Sequence, residues 1–180
     1  RDQPTWLTGI VHGPQVRFSP KQLRQLIPAR YPIRLYPDIT HSRQCQYPVT
    51  QWDVAYSVAE GREGINPRPR DHAIIARHTL PDSIGFISYS EGCNDDVNKC
   101  LWSSLGWNPD ADEKEVLREF SRYFIGDEVG ESFADGLFAL EQNWRGPLLA
   151  NEGVERTLAH FQTLERTAPP ARLKNWRFQQ

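Results

Sequence analysis

Acidic residues cluster directly behind a short apolar segment in the stretch 88–96, SYSEGCNDD. Glu91 is the first of them, and Asp38 holds a similar place behind the earlier segment IRLYP. An acid at the end of a buried strand is costly unless it is hydrogen-bonded or takes part in chemistry. Two carboxylates at neighbouring strand ends could flank a glycosidic bond, one protonating the leaving oxygen while the other acts as nucleophile or activates water. We therefore predict Glu91 and Asp38 as a catalytic pair.

These acids also have structural interpretations. Asp38 follows a proline and could stabilise a turn, and Glu91 could be fixed in the structure without facing a pocket. Asp95 and Asp96 open a predicted helix, where the helix dipole favours acids, so we expect them to cap that helix. If Asp38 and Glu91 are the catalytic pair, a carboxyl separation of about 5–5.5 Å would indicate retention and one of about 6.5–9.5 Å inversion.

Six further side chains are predicted to bind the substrate. Polar residues that follow predicted strands would line the mouth of the same pocket. Aromatic residues on or beside the long loop 40–69 suit stacking on the apolar faces of sugars, and an arginine there could bind a carboxylate through two parallel hydrogen bonds. Packing of the loop or surface salt bridges would explain these residues as well. The six are His12, His41, Trp52, Tyr56, Arg68 and Asn94.

The composition fits a globular chain with a sizeable core and argues against several classes of partner. The 180 residues are 38% hydrophobic and 24% charged, with a formal net charge of -2. The Lys and Arg residues are scattered along the chain, so we predict no nucleic acid partner. No apolar run approaches the roughly 20 residues that cross a bilayer, so we predict no membrane span.

The three cysteines, Cys45, Cys93 and Cys100, are odd in number and form no CxxC motif. This spacing argues against a disulfide framework and against a zinc site, and nothing in it indicates the alternative of one bridge and one free thiol, so we predict free thiols and no metal. We also predict no cofactor. Cys93 and Cys100 are separated by a predicted strand-to-helix turn. We expect them to lie too far apart for the ~4.4–6.8 Å between Cα atoms that a disulfide requires.

Strand and helix patterns alternate through the first part of the chain. The predicted strands are 7–11, 33–36 and 84–89, and the predicted helices are 20–27, 70–80 and 95–107. Such alternation is typical of parallel βαβ units. Long loops behind the strands and short returns ahead of them match a TIM barrel, whose active site lies on the loops that follow the strands. We therefore predict an α/β fold containing part of a (β/α)8 TIM-type barrel.

The last third of the chain has the pattern of three amphipathic helices without strands between them. Apolar residues recur every three or four positions from Val116 to Phe124, from Val129 to Trp144 and from Val154 to Leu164. We predict residues 1–108 as the C-terminal part of the barrel and 109–180 as a truncated helical region. Three strands cannot close an eight-stranded barrel and the sequence contains no Met, so we interpret it as an excerpt of a longer protein.

Several motifs resemble bacterial proteins of the glycoside-hydrolase kind. The stretches are YPIRLYPDITHS, INPRP, IGFISYSEGCNDDVNKCLWSSLGW, REFSRYFIG and ALEQNWRGPLL. In those proteins a TIM-like barrel, loosely similar to the barrels of α-glucuronidases and β-N-acetylhexosaminidases, precedes a helical domain. The likeness covers roughly residues 5 to 165 in order. It implies carbohydrate processing on a (β/α)8 scaffold, whereas the catalytic pair is predicted from the residues themselves.

The sequence thus predicts a glycoside hydrolase that acts on a glycan through paired carboxylates. Two alternatives stay open: a non-catalytic carbohydrate-binding or scaffold barrel, and a segment whose catalytic residues lie upstream of residue 1. The arrangement of the acids separates the first alternative from the hydrolase. Hydrolysis requires two carboxyl groups facing one cavity, whereas a binding site can operate with one acid and aromatic side chains.

Overall fold

Helices dominate the computed structural model of this chain, which describes residues 4–49, 53, 58, 67–91 and 95–180. Of the described residues, 56% are helical and 6% are in strands. The single sheet found among them has two parallel strands. The prediction of an α/β fold with part of a (β/α)8 barrel is therefore wrong, because the described part of the protein is mostly α-helical.

The two strands pair as the alternating pattern predicted. Strand β1 (Ile10–His12) and strand β2 (Ile33–Leu35) are parallel, and helix α1 (Pro20–Leu26) lies between them in the chain. Helix α1 begins behind Ser19, whose hydroxyl accepts the N–H of Gln22, while the Gln22 side chain accepts the N–H of Ser19. This reciprocal capping box satisfies two backbone donors that the first helical turn leaves without partners.

The predicted strand 84–89 lies parallel to β2 but forms only isolated bridges to it, Leu35 with Phe86 and Asp38 with Tyr89. Backbone hydrogen bonds join the two segments on both sides of Pro37, at 3.0 Å from Ile87 N–H to the Leu35 carbonyl and 2.7 Å from Tyr89 N–H to the Pro37 carbonyl. A regular parallel pair would have one more hydrogen bond between these two, donated by the backbone N–H of residue 37. Proline has no backbone N–H, so this bond is missing. The third strand is therefore interrupted where the sequence pattern predicted continuity.

The other helices follow β2 in the chain. They are α2 (Pro69–Thr79), α3 (Asp96–Trp107), α4 (Glu113–Phe124), α5 (Gly130–Gln142), α6 (Glu152–Arg166), α7 (Pro170–Leu173) and α8 (Trp176–Gln179), with short 3-10 turns at Leu80–Asp82, Asp127–Val129 and Leu148–Ala150. The three amphipathic helices predicted for the last third are confirmed as α4, α5 and α6. Asp112 caps α4 by accepting the N–H groups of Lys114 and Glu115, and Asn151 caps α6 by accepting that of Gly153.

The main core lies among the helices. It contains Leu101 and Leu105 of α3, Leu117 of α4 and Phe133 of α5, together with Ile39, which follows β2. This core includes residues on both sides of position 108, so α3 packs with the helices of the last third. The chain directly after β2 therefore packs into the helical core through Ile39.

No helix in the described ranges has the length and apolar character that a membrane crossing requires. Among the described cysteines, Cys45 and Cys100 form no disulfide. Cys93 lies outside the described residues.

Candidate functional site

One imidazole ring joins the two acids predicted as the catalytic pair. His41 Nδ1 lies 2.8 Å from Asp38 Oδ2, and His41 Nε2 lies 3.0 Å from Glu91 Oε2. The side chains of Asp38 and His41 are 2% and 0% exposed, whereas that of Glu91 is 42% exposed. The structure thus brings these three predicted residues together, and Glu91 is the member that faces solvent.

A turn at the end of β2 builds the contact between Asp38 and His41. Asp38 Oδ1 accepts the backbone N–H groups of Thr40 and His41, each at 3.1 Å. A short carboxylate that bonds the backbone two and three residues ahead is a common turn-forming device. It brings the His41 ring back over Asp38, and the face of that ring stacks on Tyr89 with 5.9 Å between ring centroids. Asp38 therefore stabilises the turn and also holds the histidine.

The order of the contacts determines what each ring nitrogen can do. A carboxylate accepts hydrogen bonds and donates none, so Nδ1 carries a proton and donates it to Asp38. The other ring nitrogen, Nε2, lies 3.0 Å from Glu91 Oε2, close enough to exchange a proton with it. Because the ring lies between the two carboxylates, Asp38 and Glu91 do not face each other across open space.

Asp95 belongs to the same cluster, although the sequence predicted it as a helix cap. It occupies the N-cap position of α3, but its side chain makes no capping hydrogen bond to the described N–H groups of that helix. Its Oδ2 instead accepts the hydroxyl of Ser90 at 2.7 Å and the hydroxyl of Thr40. Asp95 thus holds the predicted position at the start of the helix, but its carboxylate bonds the hydroxyls of Ser90 and Thr40 instead of the helix N–H groups.

Arg68 is buried beside this cluster, and its side chain is used inside the protein. It is 4% exposed, and its guanidinium donates to the Tyr47 carbonyl at 2.7 Å and to Asp71 at 2.9 Å. Burial raises the pKa of the Tyr47 phenol to about 12, with a smaller contribution from the charge of Asp38. The structure thus places Arg68 as an anchor between the loop at Tyr47 and the start of α2.

Asn98 is a residue of the site that sequence reasoning missed. It is 4% exposed, its side-chain oxygen accepts the N–H of Arg68 at 3.1 Å, and its side-chain nitrogen donates to the Ile39 carbonyl at 3.0 Å. It therefore ties the start of α2 to the end of β2. The sequence feature that could have indicated Asn98 is its place beside the apolar stripe of α3, between Val97 and Leu101.

Of the other predicted binding residues, the structure describes His12, which lies outside the cluster. His12, which is 3% exposed, has Nε2 at 2.7 Å from the carbonyl of Phe18, so its ring holds the loop that follows β1. Trp52, Tyr56 and Asn94 lie outside the described residues. Within the described ranges, no group of three or more His, Cys, Asp or Glu side chains is arranged to hold a metal ion.

Comparison with protein-family models, curated proteins and solved structures finds no match to this chain. The function is therefore inferred from the geometry of the cluster. Its central feature is the array of Asp38, His41 and Glu91, in which buried groups lead to one solvent-facing carboxylate.

Proposed function

We propose that the protein hydrolyses glycosidic bonds of a carbohydrate, with Glu91 as the group that transfers a proton to or from the reacting atoms. One observation carries this proposal: the half-exposed carboxylate of Glu91 lies 3.0 Å from Nε2 of the buried His41. A general acid or base must reach the substrate and must also exchange its proton. Glu91 meets the first condition through its exposure and the second through its contact with the ring.

Asp38 acts through His41 in this mechanism. By accepting from Nδ1 it fixes the orientation and tautomer of the ring, and it stabilises the positive charge that the ring gains when Nε2 is protonated. Glu91 delivers its proton to the leaving oxygen while a water molecule adds to the anomeric carbon and releases its own proton to solvent. A proton on Nε2 can then pass to Glu91 and restore its acid form, and the ring regains a proton from solvent. The proposal therefore departs from the predicted catalytic pair: Glu91 is the catalytic residue, and the buried Asp38 is a positioning residue.

Carbohydrate binding without catalysis is the second candidate, and one observation favours it. Asp38 is 2% exposed, so Glu91 is the only member of the predicted acid pair that faces solvent. Hydrolysis by two carboxylates needs both to reach the same bond. A binding site needs only one acid to hydrogen-bond a sugar hydroxyl.

The substitution Glu91→Gln tests the proposal, because it keeps the size of the side chain and removes its proton transfer. We expect kcat on a panel of aryl glycosides and oligosaccharides to fall by about 10²–10⁴-fold. The affinity for the same sugars, measured by calorimetry, should stay within about threefold of the wild type if binding and proton transfer are separable. The control is Glu119→Gln, which changes an exposed glutamate of α4.

The outcomes separate the two candidates. Glu91→Gln with near-normal turnover would overturn the catalytic role of Glu91. A wild-type protein that binds oligosaccharides but cleaves none would favour the binding function. A protein that neither binds nor cleaves any member of the panel would overturn both.

A further inference from the structure

A directed chain of hydrogen bonds runs from the backbone of Glu91 to a buried carboxylate. The N–H of Glu91 lies 2.8 Å from Thr40 Oγ1, and the Thr40 hydroxyl bonds in turn to Oδ2 of Asp95. Asp95 is 3% exposed and accepts from Ser90 as well, at 2.7 Å. The two residues that end the third extended segment, Ser90 and Glu91, are thus both tied to the same carboxylate.

The direction of this chain follows from the groups in it. A backbone N–H can only donate, a carboxylate accepts, and a hydroxyl has one proton to give and lone pairs to receive. The Thr40 hydroxyl therefore gives its proton to Asp95 and accepts the N–H of Glu91. A hydrogen bond that ends on a charged group is stronger than a neutral one, so Asp95 fixes the orientation in which the hydroxyl can accept.

Glu91 is consequently held at two points. Its carboxylate contacts the ring of His41, and its backbone N–H is bound by Thr40, one residue before His41 in the chain. Asp38 Oδ1 fixes both of those residues, since it accepts the N–H groups of Thr40 and His41. The position of the Glu91 carboxylate relative to the ring is thus determined at its main chain and at its side chain.

We propose that Thr40 and Asp95 are positioning residues that fix the Glu91 carboxylate for proton transfer. This inference rests on the function proposed above, in which Glu91 is the catalytic acid or base. Misplacement of a catalytic group by about 1 Å can lower a rate by about 100-fold. Loss of the Thr40 hydroxyl should therefore lower kcat while every group that contacts the substrate is still present.

The substitution Thr40→Val removes the hydroxyl and keeps the shape of the side chain. We expect kcat to fall by about 10- to 100-fold, with KM within about threefold of the wild type. Thr40→Ser restores a hydroxyl at the same position and should recover turnover to within about threefold. Ser90→Ala is the matched control, because it removes a donor to Asp95 without touching the bond to Glu91 N–H, and its effect should be smaller than that of Thr40→Val.

All rates are expressed per folded molecule, with the folded fraction measured by circular dichroism. If Thr40→Val does not fold, Thr40→Ala gives the same test without a methyl group against Asp95. Near-normal kcat in the hydroxyl-free variant, together with loss of activity in Glu91→Gln, would overturn the positioning role alone. Equal loss in Thr40→Ser and Thr40→Val would also overturn it. Normal turnover in Glu91→Gln would overturn the proposed function and the positioning role together.

Discussion

The buried histidine of α2 makes the stability of the fold depend on pH. His72 is 1% exposed, and its Nδ1 accepts a hydrogen bond of 3.1 Å from the indole N–H of Trp102. An indole N–H can only donate, so Nδ1 must be unprotonated in the native state. Burial, with a smaller contribution from the charge of Arg68, lowers the pKa of His72 to about 3. We therefore expect His72 to be neutral in the folded protein throughout the mildly acidic range.

The sign of the effect follows from proton binding. In the unfolded chain His72 has the ordinary pKa of 6.5, so between pH 6.5 and about 3 the unfolded state binds a proton that the native state does not. The stabilisation is complete above pH 6.5 and is lost progressively as the pH falls. One pKa unit corresponds to about 1.4 kcal/mol, so a change from pH 7 to pH 5 should lower the free energy of unfolding by about 2 kcal/mol through His72 alone.

Urea denaturation at pH 7 and pH 5 measures how much the free energy of unfolding changes between the two pH values. In His72→Asn, the amide oxygen can stand in for Nδ1 as acceptor for Trp102, and the side chain does not titrate. The loss of stability between the two pH values should be about 2 kcal/mol smaller in this variant than in the wild type. His78→Asn, which changes an exposed histidine of the same helix, should behave like the wild type. Full pH dependence in His72→Asn, or an NMR titration of His72 near pH 6.5, would refute the reasoning.

Two further substitutions test residues at the ends of helices for their contribution to the free energy of unfolding. Glu141, 1% exposed, accepts the N–H groups of Arg70 and Asp71 at 2.9 and 2.8 Å, so Glu141→Ala should lower the free energy of unfolding by about 2 kcal/mol or more. Urea denaturation checks this, and the exposed neighbour Gln142→Ala should change it by less than about 0.5 kcal/mol. Gly126 has φ +152°, which L residues rarely adopt, so Gly126→Ala should cost about 1–3 kcal/mol; an unchanged melting temperature would contradict this.

The helices were predictable because their signals are local. Ser19 and Asp112 precede helices at the positions that capping residues occupy, and the apolar spacing of α4, α5 and α6 is visible in the sequence. The barrel prediction was wrong because it was inferred from the order of helices and strands alone. That order does not show that Pro37 removes a backbone hydrogen bond from the third strand, nor that most of the buried apolar side chains of the described residues belong to one mainly helical core.

The candidate site was predictable in its location and not in its contacts. Parallel segments end at the same edge of a sheet, so Asp38 and Glu91 were expected to lie close together, and they do. The ring of His41 between them depends on a turn whose hydrogen bonds involve backbone groups that the sequence does not single out. The role of Asp95 was hidden because an acid before a helix is explained by capping as readily as by a contact across the fold.

Helix α3 positions the strand-end residues of this site. Asp95 and Asn98 are three residues apart at its start, a spacing that places both on one side of the helix. Asp95 accepts from Thr40, and Asn98 donates to the Ile39 carbonyl, so two successive residues after β2 are bound by one turn of α3. The site therefore needs no closed barrel to hold it. Its precision depends on how α3 packs in the helical core, where Leu101 and Leu105 are fully buried.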